Sequence, residues 1–552
     1  MKYDIRLISF GIGMIILLTA GGLTAVRGLM ALSSINSGSY ETLLPDTSTD
    51  DPLKYIGNDY KIDGKFITNL PIVLIDTAGP APDYKEFHEE EEVVIDGVEP
   101  YVEGSICVYD SGKGSNKFSE ILEKRKQNEP IINDAETGYF QNPILIKKRG
   151  HTSMYFEKAQ YLIKTQSQAG EDYDVDYLEM GEGHEWILNG SMADKSLIRN
   201  YVAYRIASEI GGNNMSPDSR FCEVISSEPD GTFTYQGVFL LMETISRGKE
   251  RVNIEKTKES EDYTSYIVRR DRYTSYDTML DTYARINGID EQWIGVKYPG
   301  ASMLSDKWKN YIEDDFSRTE KIIYSENADI FDVYDKYIDV KSFVDYFLIN
   351  EFFGNYDAGE HSTYMYKNSG DRLFIGPVWD FDQAMNNYFE AEMDPTILSF
   401  QTRPLYKKLT DDVRFMDDLK KRGHELLNTY LSENHVNSVI DEAAAYIRSA
   451  REREWYRWAA SYVENDPEIR DYDLQGYRDG TIWITRFTDN YDTQLYNIKT
   501  YLHKHSKAIE TQLSGIRADT HYNTHITVHN AVFFFMVLCL FFVPSILINR
   551  KA

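Results

Sequence analysis

The residues best equipped for chemistry lie between Asn355 and Asp382. An apolar run of helical pattern, Phe343 to Phe353, delivers the chain into a loop that holds Asp357. Thr363–Lys367 and Arg372–Ile375 read as two short strands around an Asn-Ser-Gly-Asp turn, a hairpin. The second strand leads to Asp380-Phe-Asp382. Carboxylates placed on either side of a hairpin can divide labour. One accepts or orients the proton of an attacking hydroxyl, and the other holds a divalent cation against phosphate oxygens. Phosphoryl transfer needs both, because it is driven by positioning and charge neutralisation, with little covalent work for the protein. The plainer reading of the same spacing is a polar hairpin whose carboxylates cap turns.

Other motifs are few. There is no Walker A loop, no G-x-S-x-G elbow and no H-E-x-x-H. Gly112-Lys-Gly114 and Gly181-Glu-Gly183 read as turns. His521, His525 and His529 would share one helix face.

The surrounding chain must position these groups. It has 552 residues, with 59 Lys and Arg against 88 Asp and Glu, a formal charge of −29. An acidic protein lacks the basic surface of sequence-independent nucleic-acid binding, so no nucleic acid is expected as partner. Three cysteines exclude a disulfide framework and a Cys-based zinc site, and Cys107 and Cys222 read as buried thiols. Strand-type runs fill the first half: 70–75, 104–109, 143–147, 161–164, 220–225, 235–242 and 266–269. An amphipathic helix over 191–211, capped by Asp194, interrupts them. Helices dominate 306–354 and 404–515. The fold class expected is α+β, with a strand-rich N-terminal half and a helical C-terminal half.

Leu7–Val26 and Ala531–Ile548 carry no charge and are each about long enough to cross a ~30 Å hydrocarbon core. Lys2, Arg6, Arg550 and Lys551 outnumber Arg27 and Arg517 at their flanks, which predicts cytoplasmic termini. The expectation is a two-pass protein of a bacterial cell membrane, with the lipid bilayer as a partner and the main domain extracytoplasmic. The domain reading is a transmembrane helix at 7–26, a linker at 33–65, a core at 66–403, a helical part at 404–515 and a second transmembrane helix at 531–548.

Helix, loop carboxylate, hairpin and Asp-Phe-x triplet follow the order of a protein-kinase catalytic half. Six ordered segments narrow this. They are Arg149-Gly-His-Thr-Ser153, Lys158-Ala-Gln-Tyr161-Leu-Ile-Lys164, Trp186-Ile-Leu with Asp194-Lys-Ser-Leu-Ile-Arg199-Asn200-Tyr201, Tyr235-Gln-Gly237-Val-Phe-Leu-Leu-Met-Glu243, Arg251-Val-Asn-Ile254, and Gly376-Pro-Val-Trp379-Asp380-Phe381-Asp382. Together they resemble the CotH family of atypical kinases, over about residues 66 to 515.

The resemblance implies an atypical protein-kinase-like fold using ATP with Mg²⁺ or Mn²⁺. Asp357 matches the catalytic-loop aspartate, Asp380 the metal-holding one, and Lys164 the strand lysine that meets nucleotide phosphates. Asp382 is either a second metal ligand or a helix cap. Arg149, Arg199 and Asn200 either bind phosphate or knit the domain, and Glu243 lies near the adenine or pairs with a cation. Protein kinases place a metal-holding Asn five residues after the catalytic Asp; here Ser362 occupies that position, which puts a second metal in doubt. The implied activity is transfer of the ATP γ-phosphate to Ser or Thr hydroxyls of secreted or surface proteins. The alternative is a non-catalytic member assisting cell-envelope or exopolysaccharide assembly.

Overall fold

The computed structural model describes residues 60–77, 101–150, 153, 156–273, 277–290, 293–388, 393–464 and 491–515. Its first half is built on seven strands: β1 (Ile72–Asp76), β2 (Val102–Tyr109), β3 (Tyr139–Arg149), β4 (Gln160–Thr165), β5 (Glu185–Asn189), β6 (Ser219–Ser227) and β7 (Phe233–Glu243). Their pairing runs β7-β5-β4-β3-β2-β1-β6 and returns to β7, so the sheet closes on itself. Every pairing in the ring is antiparallel except β1 with β6. Closure leaves no long exposed edge.

Alternation along these strands sorts their side chains. Val73, Ile106, Ile146, Ile163, Trp186, Val224 and Leu241 form one apolar cluster. Ile187, Leu240 and Met242 belong to a larger cluster shared with the helices, and Leu162 packs against it. Since strand neighbours point to opposite faces, the face of β4 bearing Leu162 also bears Gln160 and Lys164. Register places Lys147 opposite Leu162, Arg149 opposite Gln160, and Glu185 opposite Lys164. One wall of the closed sheet therefore presents charged residues at the margin of the main core.

A second sheet holds β8 (Tyr266–Arg270), β9 (Ile294–Tyr298), β10 (Thr363–Lys367) and β11 (Leu373–Ile375), in the order β9-β8-β10-β11, with Thr278–Met279 on the outer edge of β9. The expected hairpin is β10–β11. The main helices are α1 (Arg199–Gly211), α2 (Asp306–Ile323), α3 (Val340–Phe353), α4 (Val413–Leu427), α5 (Glu433–Tyr446), α6 (Arg448–Glu464) and α7 (Tyr491–Gly515); α3 packs on β11, and α1 and α6 pack on β6 and β7 of the closed sheet, respectively. α3 is buried nearly all round, as a helix apolar on every face must be. Asp339 caps its start by accepting from the Ser342 N–H, and Gly354 ends it at φ 59°, the left-handed turn that glycine adopts without strain.

The strand-rich half and the helical C-terminal region agree with the α+β expectation. Three details differ. The interrupting helix begins at Arg199, because residues 191–198 are drawn into turns in which Asp194 accepts from the Ser196 and Arg199 N–H groups. Lys61–Ile62 pairs with β7 inside the stretch read as linker; two residues are too short a strand for composition to reveal. Among the described residues no helix is long and apolar enough to cross a membrane. That corrects the two-pass membrane placement and, with it, the bilayer as a partner. Residues 7–26 and 531–548, like the histidines at 521–529, lie outside the described residues. Cys107 and Cys222 are both free and buried.

Candidate active site

Trp379-Asp-Phe-Asp382 is held by alternation. Phe381 is fully buried, edge-on to Tyr204 of α1 and Phe353 of α3 at 5.9 and 5.8 Å between ring centres. Trp379 packs on Tyr204 and Tyr364. With the rings anchored, the backbone of Asp380 takes φ 62°, a left-handed conformation that a non-glycine residue holds only under constraint. Its N–H donates to the Tyr204 hydroxyl at 3.1 Å, and the Phe381 N–H donates to Asn200 Oδ1 at 2.7 Å.

Asp357 enters from the other side of the β10–β11 hairpin. Asn355 fixes the loop root, donating to Asn350 Oδ1 and to the Trp379 carbonyl, each at 3.1 Å. The His361 N–H closes the loop onto the Asp357 carbonyl at 2.8 Å. Ser362 follows at φ 48° and donates its hydroxyl proton to Asp380 Oδ2 at 3.3 Å.

The carboxylates feel one another. Burial pushes Asp380 up to about 6, with the negative field of Asp357 the next cause, partly opposed by Arg149. Burial also raises Asp357, against Arg272 and Arg403 and with Asp271. Asp382 goes up to about 8, through burial and then Asp380. It accepts from the Ser191 hydroxyl and the Asn200 amide on a single oxygen. One buried acid and two half-buried ones, all raised, leave negative charge under-compensated, a condition that attracts a cation.

Each residue singled out in the sequence has a definite place. Arg149 lies over the Trp379 ring at 5.7 Å, donates to Gln160, and acts on both Asp380 and Asp382. Asn200 holds Phe381 and Asp382, and so acts as a positioning residue. Lys164, on β4, lies 3.4 Å from Glu185 and 5.2 Å from the centre of the Tyr101 ring. Two residues are committed to buried ion pairs. Arg199 is 1% exposed, ion-paired to Asp194 and donating to the Ala384 carbonyl, so its contacts are those of a packing residue. Glu243 is 2% exposed at the end of β7, facing Arg251 and accepting from the Asp218 N–H. Burial raises it to about 7 against the pull of Arg251.

Sequence reasoning missed Asp271, Arg269 and Glu185. Asp271, just past β8, acts on Asp357, Asp380 and His361. Arg269 pairs with Asp277 at 3.2 Å and lies 3.7 Å from Asp271. Glu185 carried one signal, its place beside the Trp186-Ile-Leu segment, but its strand pairing with Lys164 is visible only in the register.

The family model for the CotH kinase protein matches residues 146–509. The chain belongs to the CotH kinase family. No curated protein matches it. The CotH match takes in β4, the hairpin, both loop carboxylates and the helices up to α7, and leaves β1 and β2 outside.

Proposed function

We propose that this CotH-family protein is an ATP-dependent kinase that transfers the γ-phosphate to Ser or Thr hydroxyls of a protein acceptor, on a two-lobed, atypical protein-kinase-like fold. The observation that carries this reading is that Asp357 and Asp380 flank the β10–β11 hairpin with the charge of Asp357 acting on Asp380. An arrangement that strains two backbones and raises two acids is costly to folding, and such costs gather where chemistry is done.

The donor set suits a hard divalent cation. Asp380 and Asp382 offer carboxylate oxygens, and Asp380 stands beside the Ser362 hydroxyl. Among the described residues no three His, Cys, Asp or Glu side chains form a ready cage. Mg²⁺ is commonly held by one or two carboxylates together with substrate phosphates, so these residues are compatible with it, and with Mn²⁺. Bound by Asp380, with Asp382 behind it, the cation would neutralise charge on the phosphates.

The chain's own groups take the remaining roles. Asp357 accepts the hydroxyl proton as the acceptor oxygen bonds to the γ-phosphorus and the bond to the β–γ bridging oxygen breaks, releasing ADP. Its raised pKa brings it nearer to the range of an effective base. Lys164 offers an ammonium to the phosphates, oriented by Glu185, and Arg149 restrains the carboxylates from the opposite wall. The test is thermal melting of the full chain with ATP and Mg²⁺ or Mn²⁺, followed by transfer of labelled phosphate to candidate acceptor proteins. A stabilising shift that needs both nucleotide and metal supports the reading. No shift with either metal defeats it.

A further inference from the structure

Lys297 stands at a break in the second sheet. The pairing of β8 with β9 matches Ile267 to Tyr298 and Val268 to Val296, so Lys297 has no partner of its own in the register. It is the extra residue of a β-bulge, a device that re-aims a side chain. Its side chain is exposed, and no hydrogen bond or ion pair holds it among the described residues. It nevertheless has charged company. Arg269 and Lys147 act on it with like charge, Glu185 and Asp277 with opposite charge. Glu185 is also the partner of Lys164, and Arg269 leads through Asp271 to Asp357 and Asp380. Lys297 thus acts electrostatically on the carboxylate partner of the strand lysine and on Arg269, the neighbour of Asp271.

We propose that Lys297, with Lys147 and Lys164 across the cleft, binds the polyphosphate chain of the nucleotide, and that Lys297 decides selectivity for triphosphate over monophosphate. The inference rests on the kinase reading. Its chemistry is that of lysine as a compact cation for phosphate oxygens. Register puts Lys147 and Lys164 on one face of the closed sheet, and both lie near the same ring, Tyr101, at 4.9 and 5.2 Å from its centre. Lys164 and Arg269 already have carboxylate partners, whereas Lys297 is committed to none. Arg269 and Lys147 act on the exposed Lys297 ammonium with like charge, and a bound anion would offset that repulsion. Glu185, although burial works to raise it, is lowered by Lys297 and Lys164 together, as expected of an acid between two cations.

The experiment is isothermal titration of the full chain and of Lys297→Ala and Lys297→Arg with Mg²⁺-ATP, AMP and inorganic tripolyphosphate. Lys297→Ala should weaken ATP and tripolyphosphate at least tenfold and AMP less than twofold, and Lys297→Arg should recover most of the loss. Equal weakening of ATP and AMP, or no change in either, overturns the proposal. Wild-type protein that binds tripolyphosphate through Lys297 but shows no preference for ATP keeps the anion site and defeats the kinase reading. Wild-type protein that binds neither defeats both.

Discussion

Ser362 donates its hydroxyl proton to Asp380 at 3.3 Å, and both residues hold left-handed backbone, at φ 48° and 62°. On the kinase reading Ser362 takes the position of a metal-holding Asn, and its hydroxyl favours the ionised form of Asp380. Removing the hydroxyl removes that support. Ser362→Ala should move the acidic limb of the kcat/KM profile to higher pH. The loss relative to wild type should be roughly threefold or more at pH 6 and smaller at pH 8, as a hydrogen bond to a charged group is worth about 1.5–3 kcal/mol at its best. An unchanged profile would show that the contact is packing alone.

Asp382 makes stability depend on pH. Its ordinary value is 3.8, and burial followed by Asp380 takes it up to about 8 in the folded chain. Between these values the folded state keeps a proton that the unfolded state has released. Stability therefore falls as pH rises through this window, and the loss is complete above pH 8. Without divalent cation, Asp382→Asn should melt higher than wild type at pH 9 and close to it at pH 4. A variant less stable than wild type at pH 9 would contradict the sign.

α6 is fastened to the closed sheet by a buried charge. Lys158 donates to Glu454 at 2.7 Å and to the Val238 carbonyl at 2.7 Å, and the Val238 N–H donates to the other Glu454 oxygen. Arg453 reinforces the contact through two 2.7 Å bonds to Glu223. Glu454→Ala strands the Lys158 ammonium and should cost about 3–5 kcal/mol in urea unfolding. Pairing it with Lys158→Met should recover most of the loss, as an apolar replacement of a buried pair is often neutral. Gly237→Ala should also destabilise, because at φ 113° its Cβ would collide with Glu454 Oε2. A double variant no better than the single would show that α6 is held by packing instead.

Local pattern and ordered motifs made much of this legible. The strand runs, the hairpin and the Asp357 and Asp380 positions all follow from short-range spacing. What stayed hidden depends on register and burial. Closure of the sheet rests on a parallel pairing of residues 72–75 with 223–226, far apart in the chain. Lys297 gains its standing from a bulge, which composition does not announce. Arg199 and Glu243 lie in segments shared with the family, yet each is turned into a buried ion pair, since a motif records a residue's identity and not the direction of its side chain. The charge-free runs near both ends suggested spans that no described helix supports.

On the kinase reading, Asp357 and Asp380 surround one phosphate chain in different roles. Titration of Mg²⁺-ATP into wild type, Asp380→Ala and Asp357→Ala, with single-turnover transfer measured on the same samples, tests this most directly. Asp380→Ala should abolish metal-dependent nucleotide binding and transfer together. Asp357→Ala should bind ATP within about threefold of wild type while losing at least ~10²-fold in turnover, the usual contribution of a positioned acid–base group. An Asp380→Ala protein that still binds Mg²⁺-ATP and transfers phosphate at the wild-type rate would contradict this division of roles.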